Sequence, residues 1–362
     1  MTSSRTTAEK GKSTGHPGDG LRQKSQPSLW AGWGSCVLLL LVICGLLILS
    51  LFVGTVHIPA SEVWSILSGA DVEKSSWRFI VLETRLPAAL TAVLCGASLA
   101  ACGLMLQTAF RNPLAGPSVF GITHGASLGV ALVMLLSGGT LAATQWFSFP
   151  AVLASAFAGA IAVTALILGF SLLVRSNVML LIIGIMIGYL SSAVVALLNF
   201  AANEEGVRSY MMWGLGTFGN VSLSQLPLFA IPVLLGLVGS CLLIKPLNAL
   251  LLGDRYAQSL GIDVRRVRSC LLLLTGLLCA AATAFCGPIA FIGLAVPHIA
   301  RIILGTANHR QLLPATILTG AVVALVCHLS THVFGGGQIV PVNAVTPLIG
   351  APVVIYVVLK KT

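Results

Sequence analysis

The stretch Phe110-Arg-Asn-Pro-Leu-Ala-Gly-Pro-Ser-Val-Phe-Gly-Ile-Thr-His-Gly-Ala-Ser-Leu-Gly129 decides the fold, because it separates two long apolar runs with prolines and glycines. Pro113 and Pro117 are costly inside a helix, since proline lacks the backbone N–H and clashes with the preceding turn. We therefore predict that one helix ends near Phe110 and that another begins near Pro117. Asn112 is then expected at the water boundary of a membrane bundle.

The same stretch contains glycines at every fourth position, Gly121, Gly125 and Gly129. Residues four apart lie on one side of a helix, and glycines there leave a flat strip on which a second helix can approach closely. An ordinary helix-packing strip explains the glycines alone. The whole string of prolines and glycines is more specific, because it indicates a structured break between two helices of a membrane bundle.

The composition of the chain excludes a soluble globular domain. Hydrophobic residues make up 57% and charged residues 8%, with a mean hydropathy of +0.99, whereas soluble domains carry about 25% charged residues. A membrane span needs about 20 apolar residues. The sequence therefore predicts an all-α polytopic membrane protein with about ten transmembrane helices, some short or broken by proline. The predicted spans are 34–56, 87–109, 117–136, 148–173, 178–200, 226–244, 267–286, 288–304, 313–333 and 345–359.

Charge placement predicts the orientation. Sixteen of the 20 Lys and Arg residues fall in segments on one side if the amino terminus is cytoplasmic, and basic residues in short loops are retained in the cytoplasm. Both termini are therefore expected on the cytoplasmic side of the membrane. The net charge of +10 follows from this topology and does not indicate nucleic-acid binding.

Two regions follow from the hydropathy pattern. Residues 1–29 are polar and lack an apolar period, which predicts a disordered cytoplasmic tail, and residues 30–362 form the transmembrane domain.

Gly11-Lys12-Ser13 resembles the end of a phosphate-binding loop but lacks its first glycine. Any ATP and Mg must then be bound by another polypeptide. The nine cysteines lack metal-site or disulfide spacing and are expected to be small core residues.

The longest cytoplasmic loop runs from Lys245 to Arg268. It is expected to form two short helices, over about 247–266, joined at Gly261, and Asn248 could cap the first. A helical pair on this face suits docking of a soluble subunit. A solvated basic loop is the alternative. The residues assigned to docking are Leu252, Gly253, Asp254, Arg255, Ala257, Ser259, Leu260 and Gly261.

Another broken helix is predicted between Phe285 and Arg301, where Gly287, Pro288 and Pro297 interrupt one apolar run. Broken helices in transporters commonly line a pathway, because the freed backbone groups need protein or water partners. A kinked packing helix is the alternative.

Two histidines four residues apart, His328 and His332, are predicted to share one helix face near the outer end of the ninth span. A metal or haem ligand pair is one interpretation, and a polar contact to a neighbouring helix or partner is the other. Arg85 precedes the second span within a loop of mixed charge. That loop is expected either to receive a soluble partner or to anchor at the membrane interface.

Taken in order, five stretches resemble the FecCD family of ABC-importer permeases, which serve vitamin B12, ferric siderophores and haem. The resemblance extends from about residue 35 to the end of the chain. The stretches are Arg85-Leu-Pro, the block from Phe110 through Gly121-Ile-Thr-His-Gly-Ala, the Gly253 to Gly261 loop, Gly287-Pro-Ile-Ala-Phe-Ile-Gly-Leu-Ala-Val-Pro-His-Ile-Ala-Arg301, and Pro341-Val-Asn-Ala-Val-Thr-Pro-Leu-Ile-Gly-Ala-Pro352 with Pro347 at its centre.

This resemblance implies a type II ABC importer permease. It implies a homodimer with a path on the dimer axis, two ABC ATPase subunits that dock on residues 250–265, and a periplasmic or lipid-anchored substrate-binding protein. Arg85 fits one position of the arginines that contact the binding protein. Ala88 stands at a second, and His332 occupies a third. At the positions of Ala88 and His332 the chain therefore lacks the fixed positive charge that an arginine would provide for docking.

The implied mechanism is alternating access driven by ATP hydrolysis in the partner, with an iron chelate as the expected cargo and cobalamin as the alternative. An ion-coupled secondary transporter usually carries acids within its spans, and none of the predicted spans contains Asp or Glu. An intramembrane enzyme would need a catalytic dyad or metal triad, which the sequence does not offer. We therefore expect a transport subunit with no catalytic residues, cofactor or metal of its own.

Overall fold

The computed structural model describes residues 29–70, 72, 74–136, 145–174, 176–333 and 338–361. The predicted amino-terminal tail, apart from Leu29, lies outside these residues. Every regular element among the described residues is helical. The first elements are α1 (Leu29–Phe52), α2 (Ala60–Ser68), α3 (Ser75–Phe79), a π-helical turn (Ile80–Arg85), α4 (Leu86–Phe110), α5 (Ile122–Leu136), α6 (Gln145–Leu173) and α7 (Asn177–Ala201).

The chain continues through short and long helices to its carboxyl end. These are α8 (Glu204–Gly214), α9 (Leu226–Leu242), α10 (Ile244–Leu252), α11 (Asp254–Ser259), α12 (Val264–Cys286), α13 (Ile292–Leu304), α14 (His309–Val333) and α15 (Val342–Lys361).

All ten predicted spans coincide with helices. Among the described residues, six helical stretches are long and apolar enough to cross a membrane, and α9 with α10, bent by 52°, makes a seventh. The three remaining predicted spans are the shorter apolar helices Ile122–Leu136, Ile292–Leu304 and Val342–Val357. They are short because each follows a segment of irregular backbone, as the prolines and glycines there dictate.

Two predicted helix starts were wrong. The helix after Phe110 begins at Ile122 and not near Pro117, and the helix expected from residue 288 begins at Ile292. In both cases a residue with positive φ precedes the helix, Gly121 at +74° and Phe291 at +67°. That backbone conformation cannot continue into an α-helix. The predicted end of α4 at Phe110 is confirmed.

The core of the bundle is α4, which is buried along almost its whole length from Pro87 to Phe110. It packs against α12, α13 and α14. Small residues make this possible, since a Cβ on Gly96 would lie 2.5 Å from the Cβ of Ala324 on α14. A helix that is apolar on all sides is expected to be surrounded on all sides.

The predicted glycine strip is confirmed for α5. A Cβ on Gly125 would lie 2.6 Å from the carbonyl oxygen of Gly159 on α6, and Gly129 meets Ser155 of the same helix. Gly121 differs because it lies in the turn before the helix, where a Cβ would be 2.9 Å from the carbonyl oxygen of Gly184 on α7. These contacts hold α5 between α6 and α7.

Candidate functional site

The residues predicted to dock partners lie at two ends of the bundle, and α4 connects these ends. A helix of this length spans about 37 Å. The Gly253 face is the end formed by Arg111, α10, α11 and the residues up to Gly261. The Arg85 face is the opposite end, where Arg85 precedes α4 and His332 ends α14.

At the Gly253 face, the two short helices α10 and α11 meet at Gly253 and not at the predicted Gly261. Gly253 has φ +123° and ψ 151°, a conformation available almost exclusively to glycine. A Cβ there would lie 2.7 Å from Nη2 of Arg111. Arg111 in turn donates from Nε and Nη2 to the carbonyl oxygen of Leu250, both at 3.3 Å. Gly261, with φ +80°, separates α11 from α12.

The α10–α11 pair buries one side and exposes the other. Ala257 is fully buried, whereas Leu252 is 65% exposed, Tyr256 51% and Leu260 58%. A groove of about 620 Å³ lies beside them, and it is lined by Arg111, Leu252, Gly253, Asp254, Arg255, Tyr256 and Ser259. Of the predicted docking residues, the structure therefore brings Leu252 to Arg255 and Ser259 to one groove. Leu260 and Gly261 lie exposed at its side.

An ion pair joins this face to the bundle. Asp254 Oδ2 lies 3.1 Å from Arg268 Nη2, and the Arg268 guanidinium stands 5.8 Å from the centre of the Phe110 ring. The Asp254 side chain is only partly covered, so the pair is a modest source of stability. It orients α11 relative to α12.

Asn248 does not cap the first short helix as predicted. Its Oδ1 accepts from the backbone N–H of His309 at 2.8 Å, so it caps the start of α14 instead. The reason is that Asn248 lies in the second turn of α10, where its side chain faces the neighbouring helix.

The two predicted breaks, at residues 110–117 and 287–301, touch each other. His298 Nε2 donates to the carbonyl oxygen of Pro113 at 2.9 Å. Arg301 Nη1 donates to Gln107 Oε1 at 2.8 Å, and Gln107 Nε2 donates to the carbonyl oxygen of Leu294 at 3.1 Å. The carbonyl freed at Pro113 is thus satisfied by a side chain of the second break, and Gln107, in the last turn of α4, binds two further groups of that segment.

The other predicted break residues lie within these segments. Asn112 Oδ1 accepts from the backbone N–H of Leu114 at 2.9 Å and so stabilises the turn after α4. Pro297 and Pro347 lie inside the short helices α13 and α15. Gly287 has φ +78°, and a Cβ there would be 2.6 Å from the carbonyl oxygen of Trp213.

Sequence reasoning missed the role of Asn343, at the start of α15. Its Nδ2 donates to the carbonyl oxygens of Pro288 at 2.7 Å and Gly214 at 3.1 Å, and its Oδ1 accepts from the N–H of Ala290 at 3.1 Å. One side chain therefore holds the break at 287–291 to both α8 and α15. The available signal was a polar residue in an otherwise apolar stretch, two residues before the predicted span 345–359, because such residues are rarely placed at membrane depth without a partner.

At the Arg85 face, the arginine assigned to docking is 6% exposed. Its Nη1 donates to the carbonyl oxygens of Leu51 at 2.7 Å and Phe52 at 3.2 Å, and its Nη2 donates to that of Val56. These are the unsatisfied carbonyls at the end of α1 and in the turn after it, where a cation is favourable. Arg85 therefore fixes α1 to the start of α4.

A cavity of about 610 Å³ opens beside Arg85. The rings of His328 and His332 approach edge to face in its wall, with centroids 5.0 Å apart. Nδ1 of His332 and Nε1 of Trp213, which also line it, are buried and have no hydrogen-bond partner among the described residues. Across the described ranges, no group of three or more His, Cys, Asp or Glu side chains is arranged to hold a metal.

A smaller cavity of about 340 Å³ separates α5, α7 and α8. Its wall is rich in hydroxyl groups, and burial raises the pKa of one of them, Tyr210 on α8. It carries no charged side chain among its lining residues, which are Ser118, Thr123, His124, Ser127, Ser191, Ser192, Val195, Tyr210, Pro288, Ile289 and Ala290.

Comparison with known proteins gives one consistent answer. The FecCD transport family matches residues 39–360. The hemin transport system permease protein HmuU of Yersinia pestis is 34% identical over 343 residues, 93% of this chain and 97% of the relative. The vitamin B12 import system permease protein BtuC of Salmonella typhi is 34% identical over 304 residues, 83% of this chain and 90% of the relative.

The fold is similar to a solved structure as well. The structure described as an inward-facing conformation of a putative metal-chelate type ABC transporter has a TM-score of 0.78 and 31% identity to this chain. The similarity covers 90% of this chain and 99% of the solved one.

Proposed function

The chain belongs to the FecCD transport family and is a permease subunit of an ABC importer, and we propose that its cargo is an iron chelate, either a ferric siderophore or haem. The subunit is not itself catalytic, so ATP and Mg are bound by a partner ATPase. The observation that carries the cargo proposal is the alignment with the hemin permease over nearly the whole chain. Cobalamin is the second candidate, because the vitamin B12 permeases share the same identity.

The Gly253 face is the proposed docking surface for the ATPase. Its exposed leucines and tyrosine form an apolar patch beside the charged side chains of Asp254 and Arg255. Apolar side chains surrounded by polar ones at a helix pair are typical of protein interfaces. The positive φ of Gly253 sets the angle between α10 and α11, and therefore the shape that the partner meets.

The Arg85 face is the proposed docking surface for a periplasmic or lipid-anchored binding protein. In this proposal His332 borders the cavity that the binding protein covers, and Arg85 shapes its rim. The charge of Arg85 is engaged by three carbonyl oxygens. Docking through that charge itself would require these bonds to be exchanged, and it stays a prediction.

The assembly proposed is a homodimer with two ATPase subunits, in which α7 and α15 line the path on the dimer axis. Both helices expose apolar side chains, among them Tyr189, Phe200 and Leu348. Such faces require lipid or a second protein surface. The proposed setting is a bacterial inner membrane, which the family resemblance implies. The distribution of Lys and Arg supports cytoplasmic positions for both termini.

The proposed mechanism is alternating access. ATP binding and hydrolysis in the partner move α10 and α11, and the bundle opens to one side and then to the other. The breaks at 111–121 and 287–291 are the proposed sites of bending, since their backbone is irregular and their partners are side chains rather than helix hydrogen bonds. The residues proposed as the structural or pathway motif, in these breaks and in the helices next to them, are Asn112, Pro113, Gly121, Gly125, Gly287, Pro288, Pro297 and Pro347.

Uptake into reconstituted vesicles tests this function. The vesicles contain this subunit, its ATPase and its binding protein, and they are offered labelled ferric siderophore, haem and cobalamin in parallel. ATP-dependent uptake of an iron chelate supports the proposal, and uptake of cobalamin alone would transfer it to the second candidate. Uptake driven by an ion gradient without ATP would overturn the ATP-driven mechanism.

A further inference from the structure

A polar junction, buried at Thr108 and His309 and partly exposed at its two asparagines, connects the Gly253 face to the centre of the bundle. We call it the Asn248 junction, and it consists of Thr108 at the end of α4, Asn248 on α10, and Asn308 with His309 at the start of α14. His309 is completely buried. Its backbone N–H and its Nδ1 both lie within hydrogen-bond distance of Asn248 Oδ1, at 2.8 and 3.0 Å.

The geometry determines the direction of each bond. Asn248 Oδ1 already accepts from a backbone N–H, so His309 Nδ1 must carry a proton to approach the same oxygen. Burial disfavours a charged ring, so Nε2 is then an acceptor. The hydroxyl of Thr108 lies 2.8 Å from Nε2 and also 2.8 Å from the carbonyl oxygen of Leu104, so its single proton is shared between these two acceptors. Asn248 Nδ2 donates to Asn308 Oδ1 at 3.0 Å, and that oxygen also accepts from the N–H of Arg310.

The other attachments of α10 and α11 to the bundle are less restrictive. The ion pair of Asp254 with Arg268 is partly exposed, and the bonds from Arg111 to Leu250 are long at 3.3 Å. Leu247 packs through apolar contact, which is not directional and permits sliding. The Asn248 junction differs from these attachments because several short, directional bonds converge on one side chain, and two of them come from the buried His309.

The two helices held by the junction are also packed tightly together. A Cβ on Gly320 of α14 would lie 2.5 Å from the Cβ of Ala100 on α4, so the two backbones touch midway along their length. Close-packed helices move as one body. At their other ends, Arg85 and Ala88 near the start of α4 and His328 and His332 of α14 line the same cavity.

We propose that the Asn248 junction transmits the motion of α10 and α11 to the α4–α14 pair, and through it to the cavity at the Arg85 face. Thr108, Asn248 and His309 are positioning residues in this role. They keep the docking helices and the helix pair in register when the ATPase moves. The inference rests on the proposed function, because it requires that an ATPase docks on the Gly253 face.

The test uses the complete transporter in vesicles and a matched pair of threonine variants. Thr108→Val keeps the shape of the side chain and removes the hydroxyl that donates to His309. Thr319→Val is the control, since the buried Thr319 hydroxyl donates to the carbonyl oxygen of Ala315 within its own helix. Thr108→Ser keeps the donor and should restore wild-type behaviour.

Two ratios are measured with the cargo that the wild-type transporter accepts among haem, ferric siderophore and cobalamin. They are cargo taken up per ATP hydrolysed, and the stimulation of ATP hydrolysis by loaded binding protein. For Thr108→Val we expect both ratios to fall about tenfold, within the usual range of coupling between sites. The basal rate of ATP hydrolysis should stay close to that of the Thr319→Val control.

Equal ratios for Thr108→Val and Thr319→Val would overturn the junction proposal while leaving the importer function intact. If wild-type vesicles need no ATP for uptake, the proposed function itself fails. If Thr108→Val fails to fold, Asn248→Ala is the second variant, because it removes the junction's bonds at a partly exposed position. Unchanged ratios in Asn248→Ala would then also reject the proposal.

Discussion

At the Gly253 face, apolar side chains of α10 and α11 are exposed, whereas at the Arg85 face a guanidinium is buried against three carbonyl oxygens. Large apolar side chains are usually buried and charged ones are usually exposed, so each arrangement is the reverse of the common one. The first leaves a surface that a partner can cover. The second completes the fold of the subunit itself, since it satisfies carbonyls that α1 leaves unpaired. Residues at the end of a membrane bundle can therefore serve a partner or serve the chain, and exposure distinguishes the two.

The largest expected effect is on the stability of the Arg85 face. Arg85→Ala leaves the carbonyls of Leu51, Phe52 and Val56 unpaired. We expect a loss of about 3 kcal/mol in unfolding free energy, because hydrogen bonds to charged groups are worth about 1.5–3 kcal/mol. Thermal unfolding of the purified subunit in detergent measures it. Arg78→Ala, at an exposed arginine of α3, is the control and should change little.

The same pair of variants separates anchoring from docking. If Arg85→Ala unfolds at the wild-type temperature but binds the binding protein less well, the anchoring interpretation is wrong and the docking prediction gains support.

A somewhat smaller effect is expected at Gly253. Gly253→Val forces a side chain into a conformation that costs about 1–3 kcal/mol and into contact with Arg111. The angle between α10 and α11 should change, and the affinity for the ATPase should therefore fall. The fall is about tenfold for each 1.4 kcal/mol by which the strain weakens binding, and capture of the ATPase in detergent measures it. Gly69→Asn, in the turn after α2 and outside the docking surface, is the matched control, because asparagine tolerates positive φ and the site has open space. Equal capture by both variants would show that Gly253 does not shape the docking surface.

The next variant concerns Asn343, whose bonds hold the backbone next to residues that line the cavity at the Arg85 face. Asn343→Ala removes the partners of Pro288, Gly214 and Ala290. We expect a loss of about 1–2 kcal/mol, because a buried group left unpaired costs about 1–3 kcal/mol. Thermal unfolding against an Asn220→Ala control, at an exposed asparagine, measures it. Indistinguishable melting temperatures would refute the role of Asn343 in holding the break.

The smallest effect on stability is expected for Leu252→Ser. This variant also tests most directly whether a partner covers the exposed side chains of the Gly253 face. Leu252 is largely exposed in the subunit, so its unfolding free energy should change by less than about 0.5 kcal/mol. Affinity for the ATPase should nevertheless fall, since the apolar area that the partner would bury is reduced. A titration of subunit against ATPase gives the affinity. Unchanged affinity would argue that the partner does not cover this side chain.

The sequence predicted the spans well because apolar length is a local property. All ten stretches are helical, and the end of α4 at Phe110 was correct. The starts of α5 and α13 were placed four or five residues too early. Proline indicates that a helix is interrupted, but the turn geometry of Gly121 and Phe291 determines where the next helix begins.

The polar contacts were predicted less well. Asn248 was assigned as a cap of its own helix, yet its partner is His309, 61 residues away. Gln107, inside the second predicted span, and Asn343, two residues before the tenth, received no role, although polar side chains in apolar surroundings are a signal that a partner exists. The identity of that partner depends on which helices pack together.

By itself, the sequence determined the class of protein, the positions of its helices and, through five ordered motifs, its family. These follow from hydropathy and from backbone preferences of proline and glycine, which act over a few residues. The tertiary structure alone decided that Arg85 caps α1 across 34 residues and that Thr108 meets His309 across 201 residues. Hydrogen bonds form between atoms about 3 Å apart, and only the packing of the helices brings such distant residues to that distance.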